Sequence, residues 1–160
     1  MVIVVMGAAG AGKSTVGRAL AENLGWLFVD ADDDRVSTTR TRAGDGTSDA
    51  EPVTWLRDLH ALVARTLDRR EHLVLACSAL RASHREALRG GLRPVRFAYL
   101  KGARPMLEAR LEQRRGRATG VAQLHSQLVE IEDPGETALT LDASQPVEIL
   151  VPTIRRELGL

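Results

Sequence analysis

Residues 7–15 read G-A-A-G-A-G-K-S-T and satisfy the pattern G-x-x-x-x-G-K-[ST]. Gly7, Gly10 and Gly12 let the backbone take conformations closed to other residues and approach a phosphate closely. The N–H groups of such a loop, Ala11 among them, and the N-terminus of the helix behind it point at the anion. Lys13 reaches the β- and γ-phosphates, the Ser14 hydroxyl is of the type that ligates Mg²⁺, and Thr15 continues the cradle. The flanks are what the pattern requires. An apolar run, Val2–Met6, predicts a strand just before the loop, and Lys13–Leu24 predicts a helix just after it. Val16, Leu20 and Leu24 share one face of that helix, and Gly25 stops it. The implied ligand is a nucleoside triphosphate.

Outward from the loop, apolar runs alternate with amphipathic stretches, which reads as repeated β-α units around a parallel sheet. Further strands are expected at Leu27–Val29, His72–Cys77, Val95–Leu100 and Ala138–Leu141. Helices are expected at Trp55–Arg69, Arg81–Arg89, Arg104–Arg114, Val121–Ile131 and Val147–Leu158. Residues 31–53 carry almost no apolar periodicity and read as a long surface segment, which in a compact domain is usually functional. No repeat or linker divides the chain, so residues 1–160 are expected to form one domain.

Composition removes several classes. Lys+Arg 22 against Asp+Glu 21 leaves a net charge of +1, and aromatics are 3%. Neither a basic field nor stacking platforms for nucleic acid are present, which argues against a nucleic-acid-end kinase. A single cysteine, Cys77, excludes an internal disulfide framework and fits a reducing, cytoplasmic setting. The N-terminal apolar run is too short for a membrane span or a signal peptide. His60, His72, His84 and His125 show no metal or nucleophile spacing and read as solvated or satisfied side chains.

The chain lacks the Asp-x-x-Gly and [Asn/Thr]-Lys-x-Asp of guanine-nucleotide switches. The strand Leu73–Cys77 ends in Cys77-Ser78, not in the aspartate expected of motor-type ATPases. The acids fall instead after the second strand, in V-D-A-D-D-D-R at 29–35. At the C-terminal edge of a parallel sheet, such carboxylates face the γ-phosphate, as in small-molecule kinases. The joint R-R-G-R-A-T-G is basic: Arg110, Arg114, Arg115 and Arg117 are either a solvated face or a lid that neutralises the transferred phosphoryl group.

With these motifs in place, the chain resembles the bacterial gluconate kinases of the phosphate-loop kinase superfamily. M-G-A-A-G-A-G-K-S-T-V-G is similar to that family's opening, and L-G-W-L-F-V-D-A-D-D to its strand ending in Asp-Gly-Asp. A-C-S-A-L-R-A-S-H-R-E-A-L-R resembles the family's most specific segment. L-K-G, R-L-E-Q-R-R-G, L-H-S-Q-L-V-E-I-E-D-P and D-A-S-Q-P match later pieces. The resemblance implies a three-layer α/β fold of the nucleoside-monophosphate-kinase type. A central parallel sheet of about five strands would carry a helical lid near 110–128 and an acceptor-binding segment near 31–55. It also implies ATP- and Mg²⁺-dependent phosphorylation of D-gluconate to 6-phosphogluconate, often by a homodimer. By position, Asp30 would help hold Mg²⁺ and Asp32 would orient or deprotonate the acceptor hydroxyl. Arg110 and Arg114 would hold the nucleotide, and Arg117 would act on the transferred group. Arg35, Ser78, Arg81, Arg85 and Gln127 would lie toward the substrate. For Arg81 and Arg85 the alternative is first-turn helix surface, and for Ser78 it is a helix cap.

The acceptor side departs from the family. Where the family has His-Pro, then Asn and Lys-Met, this chain reads D-R-V-S-T-T-R-T-R-A-G, with Arg35 at the histidine's place. Arg117-Ala118-Thr119 replaces a lid His-Phe-Met. Arg35, Arg40 and Arg42 would keep an anionic acceptor; a neutral sugar, cyclitol or other small alcohol is the alternative. A non-catalytic nucleotide-binding protein with a decayed acceptor site is a further alternative, excluded by any measured transfer.

Overall fold

The computed structural model describes residues 1–32, 51–113 and 118–160. Five parallel strands form one sheet: β1 (Val2–Met6), β2 (Leu27–Asp30), β3 (Leu73–Ala76), β4 (Val95–Lys101) and β5 (Leu139–Asp142), in the order β2-β3-β1-β4-β5. The helices are α1 (Lys13–Leu24), α2 (Glu51–Asp68), α3 (Ala82–Arg89), α4 (Arg104–Gln113), α5 (Ala118–Glu130) and α6 (Val147–Leu158). This is the parallel α/β sheet expected from the alternation of apolar and amphipathic stretches, in the three layers that the resemblance implied.

The central strand shows why the layers form. All five residues of β1 are buried, so the strand must be covered on both faces. Side chains alternate across a strand. Ile3 and Val5 join Val16 and Leu20 of α1, Leu107 of α4, Leu124 of α5 and Ile154 of α6 on one face. Val2, Val4 and Met6 join Leu56, Leu59 and Val63 of α2 and Leu88 of α3 on the other.

Two helix starts differ from expectation. The expected start of α2 was Trp55, but the helix begins at Glu51, inside the stretch read as surface segment. Pro52 sits in its first turn, where the missing N–H costs no intrahelical bond. Likewise α5 begins at Ala118 rather than Val121. Apolar periodicity starts later than the helix in both cases, so the pattern alone reads the start late.

The strand order turns at β1. Its own crossover leads past β3 to β2 at the edge, while the crossover from β3 leads back over β1 to β4. At such a point the loops leaving neighbouring strands diverge, opening a crevice beyond their C-terminal ends. The phosphate loop, the acidic turn after β2 and the turn after β3 all emerge there.

Candidate active site

The phosphate loop runs between Met6 at the end of β1 and Lys13 at the start of α1. Its glycines serve two different needs. A Cβ at Gly10 would lie 2.8 Å from the Leu107 carbonyl oxygen of α4, and one at Gly7 would lie 2.7 Å from that of Leu100 in β4. Here glycine allows close approach of two backbones, and Gly10, at a φ of 81°, is left-handed as well. Gly12 has open space around it but a φ of 95°, as the residue that turns the chain into α1. There glycine supplies the left-handed conformation. The Ala11 N–H closes the loop onto the Ala8 carbonyl at 3.2 Å.

Lys13 is buried, and its ammonium donates to the Ala8 carbonyl at 3.2 Å. The same Nζ lies 3.3 Å from Asp32 Oδ2. Asp32 Oδ2 also accepts a hydrogen bond from Ser78 Oγ at 2.9 Å. One carboxylate oxygen therefore joins the ends of three adjacent strands: Lys13 beyond β1, Asp32 beyond β2 and Ser78 beyond β3. The backbone arranges this locally. Asp30 closes β2, paired with Ala76, and its Oδ1 accepts the Asp32 N–H at 3.0 Å. The turn that results carries Asp32 back over β3.

The helix-cap alternative for Ser78 and the helix-surface alternative for Arg85 do not hold. The residue before α3 is Arg81, with no side-chain cap, and the Ala82 N–H is met by Glu132 Oε2 at 2.7 Å. A carboxylate at a helix N-terminus is favourable, so Glu132 does the capping and Ser78 is left to face Asp32. Arg85 is only 7% exposed. Its Nη1 donates to the carbonyls of Ala79 and Leu80 at 3.2 and 2.9 Å. Burial pushes its pKa down, with Glu132 and Asp133 opposing. Arg81 is half-exposed and pairs loosely with Glu130 at 3.6 Å.

Gln127 comes to the nucleotide side rather than the acceptor side. Its Oε1 accepts the Ala9 N–H of the phosphate loop at 2.7 Å, across 118 residues of sequence. Arg110 sends its charge toward Asp142. That carboxyl is held below its usual range chiefly by the Ser144 N–H and hydroxyl, then by Gln145, with Arg110 adding. Asp142 thereby closes the D-A-S-Q loop, with Ser144 N to Oδ1 at 2.8 Å. Arg35, Arg114, Arg115 and Arg117, with Arg40 and Arg42, lie outside the described residues.

One cluster escaped the sequence reading. His125 Nε2 lies 2.6 Å from Glu108 Oε1, and Arg104 Nε donates to the same oxygen at 2.8 Å, joining α4 to α5. Only the Arg104–Glu108 spacing of four residues was visible as a helix pair. His60 meets the Leu88 carbonyl at 3.2 Å, and His72 meets the N-terminal amine at 2.8 Å, so these histidines are satisfied as expected.

Residues 2–134 match a family described as an AAA domain. A probable gluconokinase of Xenopus tropicalis is 33% identical, covering 98% of this chain and 93% of the relative. The chain belongs to the gluconokinase family. A solved gluconokinase from Sinorhizobium meliloti is 34% identical with a TM-score of 0.74, covering 94% of this chain and 86% of that one. A sugar kinase from Janibacter sp. is 31% identical with a TM-score of 0.84, covering 99% and 94%. Gluconokinase-family chemistry needs an alcohol acceptor beside the γ-phosphoryl group. The Lys13–Asp32–Ser78 contact stands beside the phosphate loop, within the same crevice.

Proposed function

We propose that this gluconokinase-family protein transfers the γ-phosphoryl group of ATP to a hydroxyl of a sugar acid, D-gluconate first, giving 6-phosphogluconate. The observation that carries the reading is the Lys13–Asp32–Ser78 contact. It joins a phosphate-seeking cation to a carboxylate able to take a hydroxyl proton. Gly7, Gly10, Ala11, Gly12, Ser14 and Thr15 wrap the triphosphate, and Arg110 approaches from α4, with Arg114 and Arg117 assigned to the lid near 110–128.

Mg²⁺ suits the oxygen donors of Ser14 and Asp30, and when bound it neutralises charge across the β- and γ-phosphates. Among the described residues no group of three acidic, His or Cys side chains could hold a metal by itself. Asp32 receives the proton of the acceptor hydroxyl as that oxygen attacks. Lys13 offsets the charge that builds on the transferred group, and Ser78 keeps the Asp32 carboxylate turned toward the acceptor. Arg81 is suited to the acceptor's carboxylate, because exchanging an exposed 3.6 Å pair with Glu130 costs little. Arg35, in the acceptor-binding segment near 31–55, is assigned the same task. A cytoplasmic location and a homodimer accompany this reading. Among the described residues no helix is long and apolar enough to cross a membrane.

The replaced acceptor-side residues favour a second reading, a kinase for another small polyol, sugar or cyclitol. Turnover of ATP with a panel of aldonates, neutral sugars and cyclitols decides between them. Gluconate is expected to lead by kcat/KM. A neutral acceptor in first place replaces the first reading with the second, and ATP binding without transfer to any acceptor ends both.

A further inference from the structure

The turn after β3 is strained and heavily held. Ala79 has a φ of 43°, a left-handed conformation that an alanine rarely adopts, and it is 1% exposed. A residue keeps such a conformation only when its surroundings over-determine it. Here they do. The Ser78 carbonyl accepts the Gly7 N–H at 3.4 Å. The Ala79 and Leu80 carbonyls take the two hydrogen bonds from Arg85 Nη1. The Leu80 carbonyl also accepts the Glu132 N–H at 3.0 Å, and Glu132 Oε2 takes the Ala82 N–H. What this bracket presents to the crevice is the Ser78 hydroxyl, on Asp32 Oδ2.

We infer that Arg85 is a positioning residue: its buried guanidinium clamps the left-handed Ala79 turn and so aims Ser78 at Asp32. The inference rests on the proposed kinase reading for its catalytic consequence, though not for the clamp itself. Charge and shape both fit the task. A guanidinium presents several donors in a fixed fork, so one group reaches two successive carbonyls that converge in a tight turn. An arginine that held the acceptor's carboxylate would instead need its fork open to the crevice, and here Nη1 is committed inward. Loss of the clamp takes the Arg85 donor from the buried Ala79 carbonyl, leaves the Leu80 carbonyl with the Glu132 N–H alone, and frees the turn to relax.

Two measurements test this in the full chain. Amide hydrogen exchange over residues 77–83 needs no acceptor. Arg85→Met is expected to speed it about tenfold or more, while exchange in β1 stays slow. Steady-state kinetics with gluconate should show kcat falling by about 10²-fold, with KM for gluconate within about threefold of the parent. Ser78→Ala should lose about as much activity, and Arg85→Met added to it should cost little more, since both act through one contact. Arg85→Lys, which keeps the charge and one reach to a carbonyl, should fall between and covers the case that the methionine variant does not fold. A rise in KM for gluconate with kcat unchanged would make Arg85 a substrate ligand and overturn the clamp. Unchanged exchange at 77–83, or additive losses in the double variant, would overturn it as well. A parent protein that transfers to no acceptor fails the kinase reading, and the exchange result then still decides the clamp.

Discussion

The phosphate loop and the acceptor side meet at Asp32 but are held by different means. The loop is shaped by backbone. Gly7 and Gly10 let it press against Leu100 and Leu107, and Gly12 turns it into α1. The proposed acceptor side is shaped by side chains: Ser78 on Asp32 and Glu132 on the N-terminus of α3 reach across elements, while Arg85 braces its own turn. A backbone-built site tolerates little substitution and announces itself in glycine spacing. A site built by side chains can change its contents while its frame stays fixed.

The largest break in this contrast should come where the two halves join. Asp32→Asn keeps the hydrogen bond with Ser78 in reach but removes the proton acceptor and the partner of Lys13. Transfer should fall by about 10²–10⁴-fold in a coupled assay, with ATP affinity nearly unchanged. Near-normal turnover would mean that Asp32 is no base. Lys13→Ala should cost about 10²–10³-fold and weaken ATP binding too, since this cation serves the nucleotide directly. A calorimetric titration with a non-hydrolysable ATP analogue separates the two variants.

That asymmetry also explains what could be read from the chain. The whole strand set, and every helix apart from two early starts, followed from apolar periodicity, because both sheet faces are buried and β1 is apolar throughout. The Lys13–Asp32 juxtaposition was legible too, since glycine spacing and an acidic strand end are local signals. Arg85 and Gln127 were legible as residues of interest but not by role. Gln127 meets the Ala9 N–H across 118 residues through the docking of α5, which no local pattern encodes, while Arg85 folds back on Leu80 through the left-handed Ala79 turn, a conformation that an alanine does not announce. Glu132 gave no signal because it caps a helix 50 residues away in sequence.

A smaller effect should separate the loop's two uses of glycine. Gly10→Ala forces a methyl group against the Leu107 carbonyl, so α4 must shift, and it strains a backbone already at a φ of 81°. Gly12→Ala meets no atom within 4 Å and only strains the turn into α1. The first should lower stability by roughly 1–3 kcal/mol in denaturant unfolding. The second should lower it by roughly 1–2 kcal/mol, while disrupting the N–H groups that face phosphate and so weakening ATP binding more than stability. If Gly10→Ala is as stable as the parent, the backbone contact between loop and α4 does not limit the fold.

The smallest effect lies where α4 meets α5. The Glu108 carboxyl is held below its usual range first by the hydrogen bond from Arg104, then by that from His125. A carboxylate depressed in the folded state adds stability that is present above its unfolded pKa and is lost as pH falls through the folded one. Glu108 therefore contributes at neutral pH, and its contribution fades below pH 4.5. Glu108→Gln should leave the melting temperature at pH 7 within about two degrees of the parent, because the group is partly solvated and such pairs contribute little. It should flatten the fall in melting temperature below pH 4.5, since one proton-linked contribution is gone. A variant whose acid limb matches the parent's would place this cluster with the side chains that decorate α4 and α5 and not with those that hold them together.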